Sequence, residues 1–321
     1  MSINTDMTVR VAAITQVAET VKCFRLERID GAAMPIFSGG SHVVVAMRDG
    51  DILRRNTYSL MSSPRDTSAY ELSILRVENS RGGSAFLHEK LKVGDTLVIS
   101  QPLNLFPFDV RGRKHLFMAG GIGITPFMAM MDQMTREDRA FELHYAVRNR
   151  KHGAYWKDLS ERYGAHRVKI YCDEEKLFIP VESVLQAQAL GTHLYVCGPE
   201  GMINGVLTKA RQLGWPEQNL HSERFLAPPP GKAFRAVLKK SKKTIEVHSH
   251  QSILEAVEAA GVDAPFLCRG GACGQCETNV ISCDGTLEHN DHFLEPEDKA
   301  SGRKIMICVS RLKGQEIVLD L

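Results

Sequence analysis

Over residues 8 to about 108 the apolar positions come in short runs bounded by Gly, Asp, Asn and Ser clusters. Val43-Val-Val-Ala-Met47, Tyr70-Glu-Leu-Ser-Ile-Leu75 and Thr96-Leu-Val-Ile-Ser100 are β-rich, the pattern of an antiparallel barrel or sandwich. Only Ser84 to Leu91 reads as helix there. From His115 the rhythm changes to strands alternating with helical segments. Leu116-Phe-Met-Ala119 leads through a Gly-rich turn into a helix from Pro126 to Met134. Strands at Phe141–Val147, Val168–Tyr171, His193–Cys197 and about Leu220–Phe225 are separated by helices near 155–162, 180–189 and 199–213. This predicts a parallel α/β sheet. Met128, Met130, Met131 and Met134 read as core packing on their helix, not as ligands.

Ala227-Pro-Pro-Pro-Gly-Lys232 is a stiff linker with little capacity for helix or sheet. After it, Phe234–Lys239 and Thr244–His248 make a hairpin, and Ser252 caps a helix from Ile253 to Ala260. Gln315–Leu321 closes the sheet as a short terminal strand. The chain therefore reads as multidomain: an antiparallel β-barrel over 1–108, a parallel α/β domain over 109–226, the linker 227–232, and an α+β domain over 233–321. Its 321 residues are consistent with two or three domains, and 43% apolar content suffices for real cores.

Charge excludes more than it suggests. The formal net charge of +2 is too small to imply a nucleic-acid partner. Lys239, Lys240, Lys242 and Lys243 form the one dense basic run, flanking Ser241 between two strand-like segments as a solvated hairpin turn. No stretch approaches the roughly 20 apolar residues of a membrane span, so no membrane partner is expected.

The cysteines carry the sharpest chemistry. Cys268-Arg-Gly-Gly-Ala-Cys273-Gly-Gln-Cys276 followed by a distant Cys has the C-x4-C-x2-C…C spacing of a plant-type [2Fe–2S] cluster. Gly270, Gly271 and Gly274 let the loop fold tightly around an inorganic core. Cys308, in the apolar run Ile305-Met-Ile-Cys-Val309, reads as the fourth ligand on a buried strand. Cys283 is its competitor, and is otherwise expected to be a packed thiol. Structural zinc also uses C-x2-C pairs, but usually two separated ones, whereas here three ligands crowd into nine residues. Cys23, Cys172, Cys197 and Cys283 pair with nothing. Free thiols, a thiol-ligated cluster and no apolar N-terminal signal point to a reducing cytoplasm.

Gly120-Gly121-Ile122-Gly123-Ile124-Thr125-Pro126 sits at a strand-to-helix junction, where small residues permit close backbone approach and a helix N-terminus offers free N–H groups to a pyrophosphate. Pro126 replaces the third glycine of the usual dinucleotide fingerprint. Cys197-Gly198-Pro199, at another strand end of the same sheet, strengthens the reading, since ligands bind at the carboxyl edge of parallel sheets. In the first domain, Arg54-Arg55-Asn56-Thr57-Tyr58-Ser59-Leu60 sets an aromatic and two hydroxyls where they can meet a flat polar ring. Arg81-Gly82-Gly83-Ser84 puts an arginine beside a Gly-Gly turn that opens a helix, a plausible phosphate clamp.

Together the three domains resemble the phthalate dioxygenase reductase group, one-chain reductases of Rieske oxygenases within the ferredoxin reductase superfamily. The resemblance covers the whole chain in the order flavin barrel, Rossmann-like nicotinamide domain, C-terminal β-grasp ferredoxin. It implies FMN on the barrel, with Thr57, Tyr58 and Ser59 at the isoalloxazine and Arg81, Gly83 and Ser84 near the phosphate. It also implies that Phe225, ending His221-Ser-Glu-Arg-Phe225, covers the flavin ring. The family motif is Arg-x-Tyr-Ser. Here Asn56 stands two before Tyr58 and Arg55 is shifted by one, which on a strand turns a side chain to the opposite face. Arg55 and Asn56 are thus alternative flavin ligands.

What the resemblance implies is a reductase that takes hydride from NADH held on Gly120, Gly121, Gly123, Thr125, Cys197, Gly198 and Pro199, and passes electrons through FMN and [2Fe–2S] to a Rieske-type oxygenase component. No catalytic acid or base is required, because the cofactors carry the chemistry. Arg148-Asn149-Arg150-Lys151 follows the second strand of the nicotinamide domain, where basic residues can hold a 2′-phosphate; the family's habit favours NADH. The alternatives are a reductase for a diiron monooxygenase or a quinone, and a redox sensor.

Overall fold

The computed structural model describes residues 6–227 and 230–321. Pro228 and Pro229 of the expected linker lie outside the described residues. Packing divides the chain into two compact units, one of residues up to 43 with 58–76 and 91–225, the other of 44–57, 77–90 and 226–321. Among the described residues, no helix is long and apolar enough to cross a membrane.

The N-terminal region is antiparallel β-sheet: β1 (Met7–Ala18), β2 (Val21–Arg28), β3 (Ser41–Asp49), β4 (Ile52–Ser59), β5 (Tyr70–Leu75), β6 (Thr96–Ile99) and β7 (Leu103–Asn104), with one short helix, α1 (Gly83–Glu89). The strand order is β4-β3-β6-β1-β2-β5, with β7 on β3. Alternation sets the inner face. Met7, Val9 and Val11 are buried while Thr8 and Arg10 are exposed, as the period of two requires.

The following domain is α/β: β8 (Lys114–Gly120), α2 (Thr125–Arg136), β9 (Ala140–Val147), α3 (Trp156–Tyr163), β10 (Val168–Cys172), α4 (Val181–Gln186), β11 (Thr192–Cys197), α5 (Glu200–Gln212) and β12 (Leu220–Glu223). Its five strands are all parallel, in the order β10-β9-β8-β11-β12. The order reverses between β8 and β11, and such a switch point is where the carboxyl ends of parallel strands open a crevice. Phe127, Met130, Met131 and Met134 of α2 and Leu159 of α3 cover one face of the sheet; Val184, Ile203, Val206 and Leu207 of α4 and α5 cover the other. The methionines are core packing, with Met128 at the margin.

The C-terminal domain holds β13 (Phe234–Leu238), β14 (Lys243–Val247), α6 (Ile253–Ala259), β15 (Glu277–Cys283), β16 (Thr286–Glu288), α7 (Pro296–Ser301), β17 (Lys304–Met306), β18 (Arg311–Lys313) and β19 (Glu316–Leu319). The mixed sheet β14-β13-β19-β15-β17 is closed by the terminal strand β19, parallel to β13 and antiparallel to β15. Lys239 to Lys242 form the turn of the β13–β14 hairpin. Ser252 caps α6 through a full capping box with Glu255, a device contributing about 1 kcal/mol. Ile253, Leu254 and Val257 then bury against Phe234, Leu238, Ile317 and Leu319.

Two expectations are corrected here. Cys308 is not on a strand: β17 ends at Met306, and the N–H groups of Val309 and Ser310 turn back onto the Met306 carbonyl. Cys283 is exposed at the end of β15, its thiol donating to the Gly285 carbonyl, where Ile281 and Ser282 are exposed as well.

Candidate functional site

The cysteine loop leaves α6 and folds back on itself. Gly271 and Gly274 take the left-handed conformation, φ 69° and 79°, as expected for glycines in a tight loop. The third left-handed position is Arg269, φ 51°, rather than Gly270. Cys268, Cys276 and Cys308 are buried and Cys273 is partly exposed. The Cys268 and Cys273 thiols lie within hydrogen-bond reach of each other, as do those of Cys276 and Cys308, so the four meet as two pairs.

That pairing tests the cluster assignment. A mononuclear zinc site needs four ligands on a single ion, whereas a two-iron cluster needs two thiolates per iron. Pairing with Cys273 and the N–H groups of Ala272, Gly270 and Cys273 lower the Cys268 thiol against burial, while the same pairing and burial raise Cys273. Cys283 lies apart and exposed.

At the switch point, Gly120 ends β8 and Gly121, φ 53°, opens a one-turn 3₁₀ helix before α2. Thr125 is buried in the first turn of α2 with its hydroxyl on the Ile122 carbonyl. The two loops touch backbone to backbone. A Cβ on Gly123 would lie 2.3 Å from the Cys197 carbonyl oxygen, one on Gly120 2.7 Å from Pro199 Cδ, and one on Gly198 2.9 Å from the Gly120 nitrogen. The glycines thus let the loop after β8 seat against the loop after β11, which brings Gly120, Gly121, Gly123, Cys197, Gly198 and Pro199 to one sheet edge.

Glu223 joins them. It ends β12 in register with Cys197, burial raises its carboxyl to about 8, and its Oε2 has no partner. Burial also pushes the Cys197 thiol well up. A neutral carboxyl can donate a hydrogen bond that a carboxylate cannot. Its signal in the sequence was only an acidic residue in the last strand of a parallel sheet. Phe225, two residues on, is about half exposed.

On β4, Ser59 is buried and Arg55, Asn56, Thr57 and Tyr58 are half-buried. Arg55 turns to α6: its N–H donates to Glu255 Oε1 at 3.0 Å and its guanidinium to Glu258 Oε2 at 3.3 Å. Asn56 Oδ1 accepts from Arg81 Nη2 at 3.0 Å. Arg81 is almost wholly buried, paired with Glu255 at 2.5 Å and bonded to the His250 carbonyl. Gly82, φ 96°, precedes α1, and the Ser84 hydroxyl accepts from the Val77 N–H.

Arg54 is the residue that sequence reasoning passed over. It is buried, its Nε and Nη1 have no hydrogen-bond partner, and burial lowers its pKa. Asp49 stands 3.9 Å away, beyond hydrogen-bond reach. A Cβ on Gly82 would lie 3.3 Å from Arg54 Nη2, so this guanidinium borders the Gly82-Gly83 turn with free donors. A buried guanidinium with unpartnered donors of this kind fits a phosphate oxygen.

Comparison with known proteins decides the family. Residues 237–313 match the 2Fe-2S iron-sulfur cluster binding domain, and residues 98–220 match the N-terminal domain of dimethylamine monooxygenase subunit DmmA-like proteins. The solved phthalate dioxygenase reductase, described as a modular structure for electron transfer from pyridine nucleotides to [2Fe-2S], superposes with a TM-score of 0.90, covering 98% of each chain at 33% identity. The chain belongs to the phthalate dioxygenase reductase family.

The reductase is also 41% identical to the carnitine monooxygenase reductase subunit of Acinetobacter baumannii over 97% of this chain and 96% of that protein. It is 42% identical to the heme-dependent oxidative N-demethylase beta subunit of Ectopseudomonas mendocina, over 99% and 100%. It is therefore an oxidoreductase, the reductase component of an oxygenase system, built from an antiparallel flavin-type barrel, a Rossmann-like domain and a ferredoxin domain.

Proposed function

We propose that this reductase takes hydride from NADH on FMN and delivers electrons singly, through a [2Fe–2S] cluster held by Cys268, Cys273, Cys276 and Cys308, to a Rieske-type oxygenase in the cytoplasm. The observation that carries this reading is the meeting of the cysteines as two pairs in a cluster-binding domain that shares one chain with a dinucleotide crevice. Bound flavin supplies the conversion of a two-electron donor to one-electron delivery.

The chain's part is to bind and orient. Gly121, Gly123 and Thr125 leave backbone room for the dinucleotide phosphates, and Gly198 and Pro199 frame the nicotinamide end with Cys197 behind them. The neutral Glu223 carboxyl is placed to donate to the carboxamide. Thr57, Tyr58 and Ser59 border the isoalloxazine, with Phe225 as its lid. At the phosphate we assign Arg54 with Gly83 and Ser84, while Arg81 and Asn56 brace the turn from behind and Arg55 faces α6. The three sites would occupy domains 1–108, 109–226 and 233–321, with residues 227–232 as the linker.

Anaerobic NADH titration with visible and electron paramagnetic resonance spectra tests this directly. Flavin bleaching followed by a reduced-cluster signal is expected, and a cluster that stays oxidised while the flavin is reduced would refute the electron order. A second reading, with a heme-dependent N-demethylase as the partner, is favoured by the 42% relative and the DmmA-like segment. Turnover with a purified Rieske-type oxygenase against turnover with a heme N-demethylase separates the two.

A further inference from the structure

Glu258 is one turn beyond the capping Glu255 on α6, and its carboxylate serves two partners. Oε2 accepts from Arg55 Nη1 of β4 at 3.3 Å and from Arg269 Nη1 at 3.0 Å, while Oε1 accepts from Arg269 Nη2. The Arg269 guanidinium also lies 3.9 Å over the Phe266 ring and is nearly buried. All of these residues belong to the same compact unit.

Arg269 holds a conformation that a non-glycine residue adopts at a cost of order 1–3 kcal/mol, and such residues persist where their surroundings over-determine them. Gly270 and Gly271 follow it, and a glycine at 269 too would meet the backbone requirement without strain. What the arginine adds is its side chain, and that side chain is spent on Glu258. The conformation directs the Gly270 N–H to Cys268 Sγ at 3.3 Å. It also brings Gly270 beside β4: a Cβ there would be 3.9 Å from Thr57 Oγ1.

We propose that Glu258 is a positioning residue for electron transfer, holding the cluster loop through Arg269 and the flavin-site strand through Arg55 on one carboxylate, so that Gly270 stays beside Thr57. The inference rests on the flavin lying at Thr57 to Ser59. Each transfer removes one electron from the reduced flavin and adds one to the oxidised cluster. The cluster holds one electron at a time and passes the first to the oxygenase before it accepts the second; two such transfers discharge the pair delivered as hydride, with the flavin's protons leaving to water.

The test uses the full chain with both cofactors and two variants of opposite kind. Glu258→Asp keeps the charge but is too short to span both arginines; Glu258→Gln keeps the length but removes the charge that neutralises two cations beside the cluster. Net charge near a cluster and hydrogen bonds to its sulfurs set its potential. The Asp variant should bind FMN and accept hydride as the parent does, with an unchanged cluster potential, yet pass electrons from flavin to cluster at least tenfold more slowly in stopped-flow. The Gln variant should show a raised cluster potential and an altered resonance spectrum; slower transfer in spite of that larger driving force then marks geometry. Parent-like transfer in Glu258→Asp overturns the proposal. So does loss of the cluster in both variants when Arg269→Ala retains it, since Glu258 would then serve folding alone. Failure of the flavin reading shows separately, as full FMN content in Thr57→Val and Ser59→Ala.

Discussion

Replacing Arg54 by Met should move flavin affinity and apoprotein stability in opposite directions. The guanidinium is buried with Nε and Nη1 unpartnered. If both donors meet the FMN phosphate, each charge-assisted bond contributes about 1.5–3 kcal/mol, roughly 3–6 kcal/mol together. At about 1.4 kcal/mol per decade, that is a loss of on the order of 10² to 10⁴ in affinity. In the apoprotein the same donors are a desolvation cost, so removing them should stabilise it by on the order of 1–3 kcal/mol. Flavin fluorescence quenching reads the affinity, and urea unfolding of deflavinated protein reads the stability. Arg81 is the internal control, since its loss leaves Glu255 buried and uncompensated, costing about 3–5 kcal/mol. An Arg54→Met protein that binds FMN as tightly as the parent, or whose apo form is weaker, would show that Arg54 is structural and that Arg81 must be reconsidered as the clamp.

Cys273→Ser should abolish the cluster signal yet leave flavin reduction by NADH intact, and loss of flavin reduction as well would contradict the electron order. Cys308→Ala should lose iron while Cys283→Ala keeps it, measured as iron per chain; the reverse pattern would reassign the fourth ligand. NADH should be preferred over NADPH in kcat/KM, because Arg150 is committed to Glu175 at 2.7 and 3.0 Å and stacks on Trp156; Glu175→Ala should release it and raise NADPH use about tenfold, one charge-assisted contact. Burial lowers the His42 pKa to about 4 from 6.5, so the unfolded chain binds the extra proton first and stability falls as pH drops from about 6.5 toward 4, by about 2 kcal/mol at pH 5. Urea midpoints at pH 7 and pH 5 for parent and His42→Gln check this, and an equal acid loss in both would remove His42 as the cause.

The sequence carried the architecture well because its signals are periodic. The β-rich runs at 43–47, 70–75 and 96–100, the strand and helix rhythm after His115, and the Ser252 cap each follow from local rules, and each element lies within a few residues of where those rules put it. Cys308 was misplaced onto a strand because Ile305 to Val309 is apolar throughout, and a run of five such residues reads alike whether it pairs or turns. Cys283 was expected to be buried on residue type alone, and residue type cannot say that the end of β15 is exposed. Arg54 and Arg81 are separated by side-chain orientation: the Arg81 guanidinium hydrogen-bonds Glu255, while Arg54 has Asp49 at 3.9 Å and its Nε and Nη1 without a hydrogen-bond partner, a difference set by α6, some 175 residues further on.

That dependence on α6 links the two halves of the redox chain. Glu255 caps its own helix, receives the Arg55 N–H and neutralises Arg81; one turn later Glu258 receives Arg55 and Arg269. Two carboxylates three residues apart project from one helix face, so a single short helix ties β4, the strand we propose for the flavin, to the turn before α1 and the cysteine loop. A site assembled this way tolerates little local change: losing either carboxylate strands at least one buried arginine, with a penalty of several kcal/mol. These side chains are buried or half-buried within one compact unit of the chain. The chain can therefore keep an internal electron path fixed by charge pairs while its exposed surface varies among partners, consistent with one fold serving both a carnitine monooxygenase and a heme-dependent N-demethylase among its relatives.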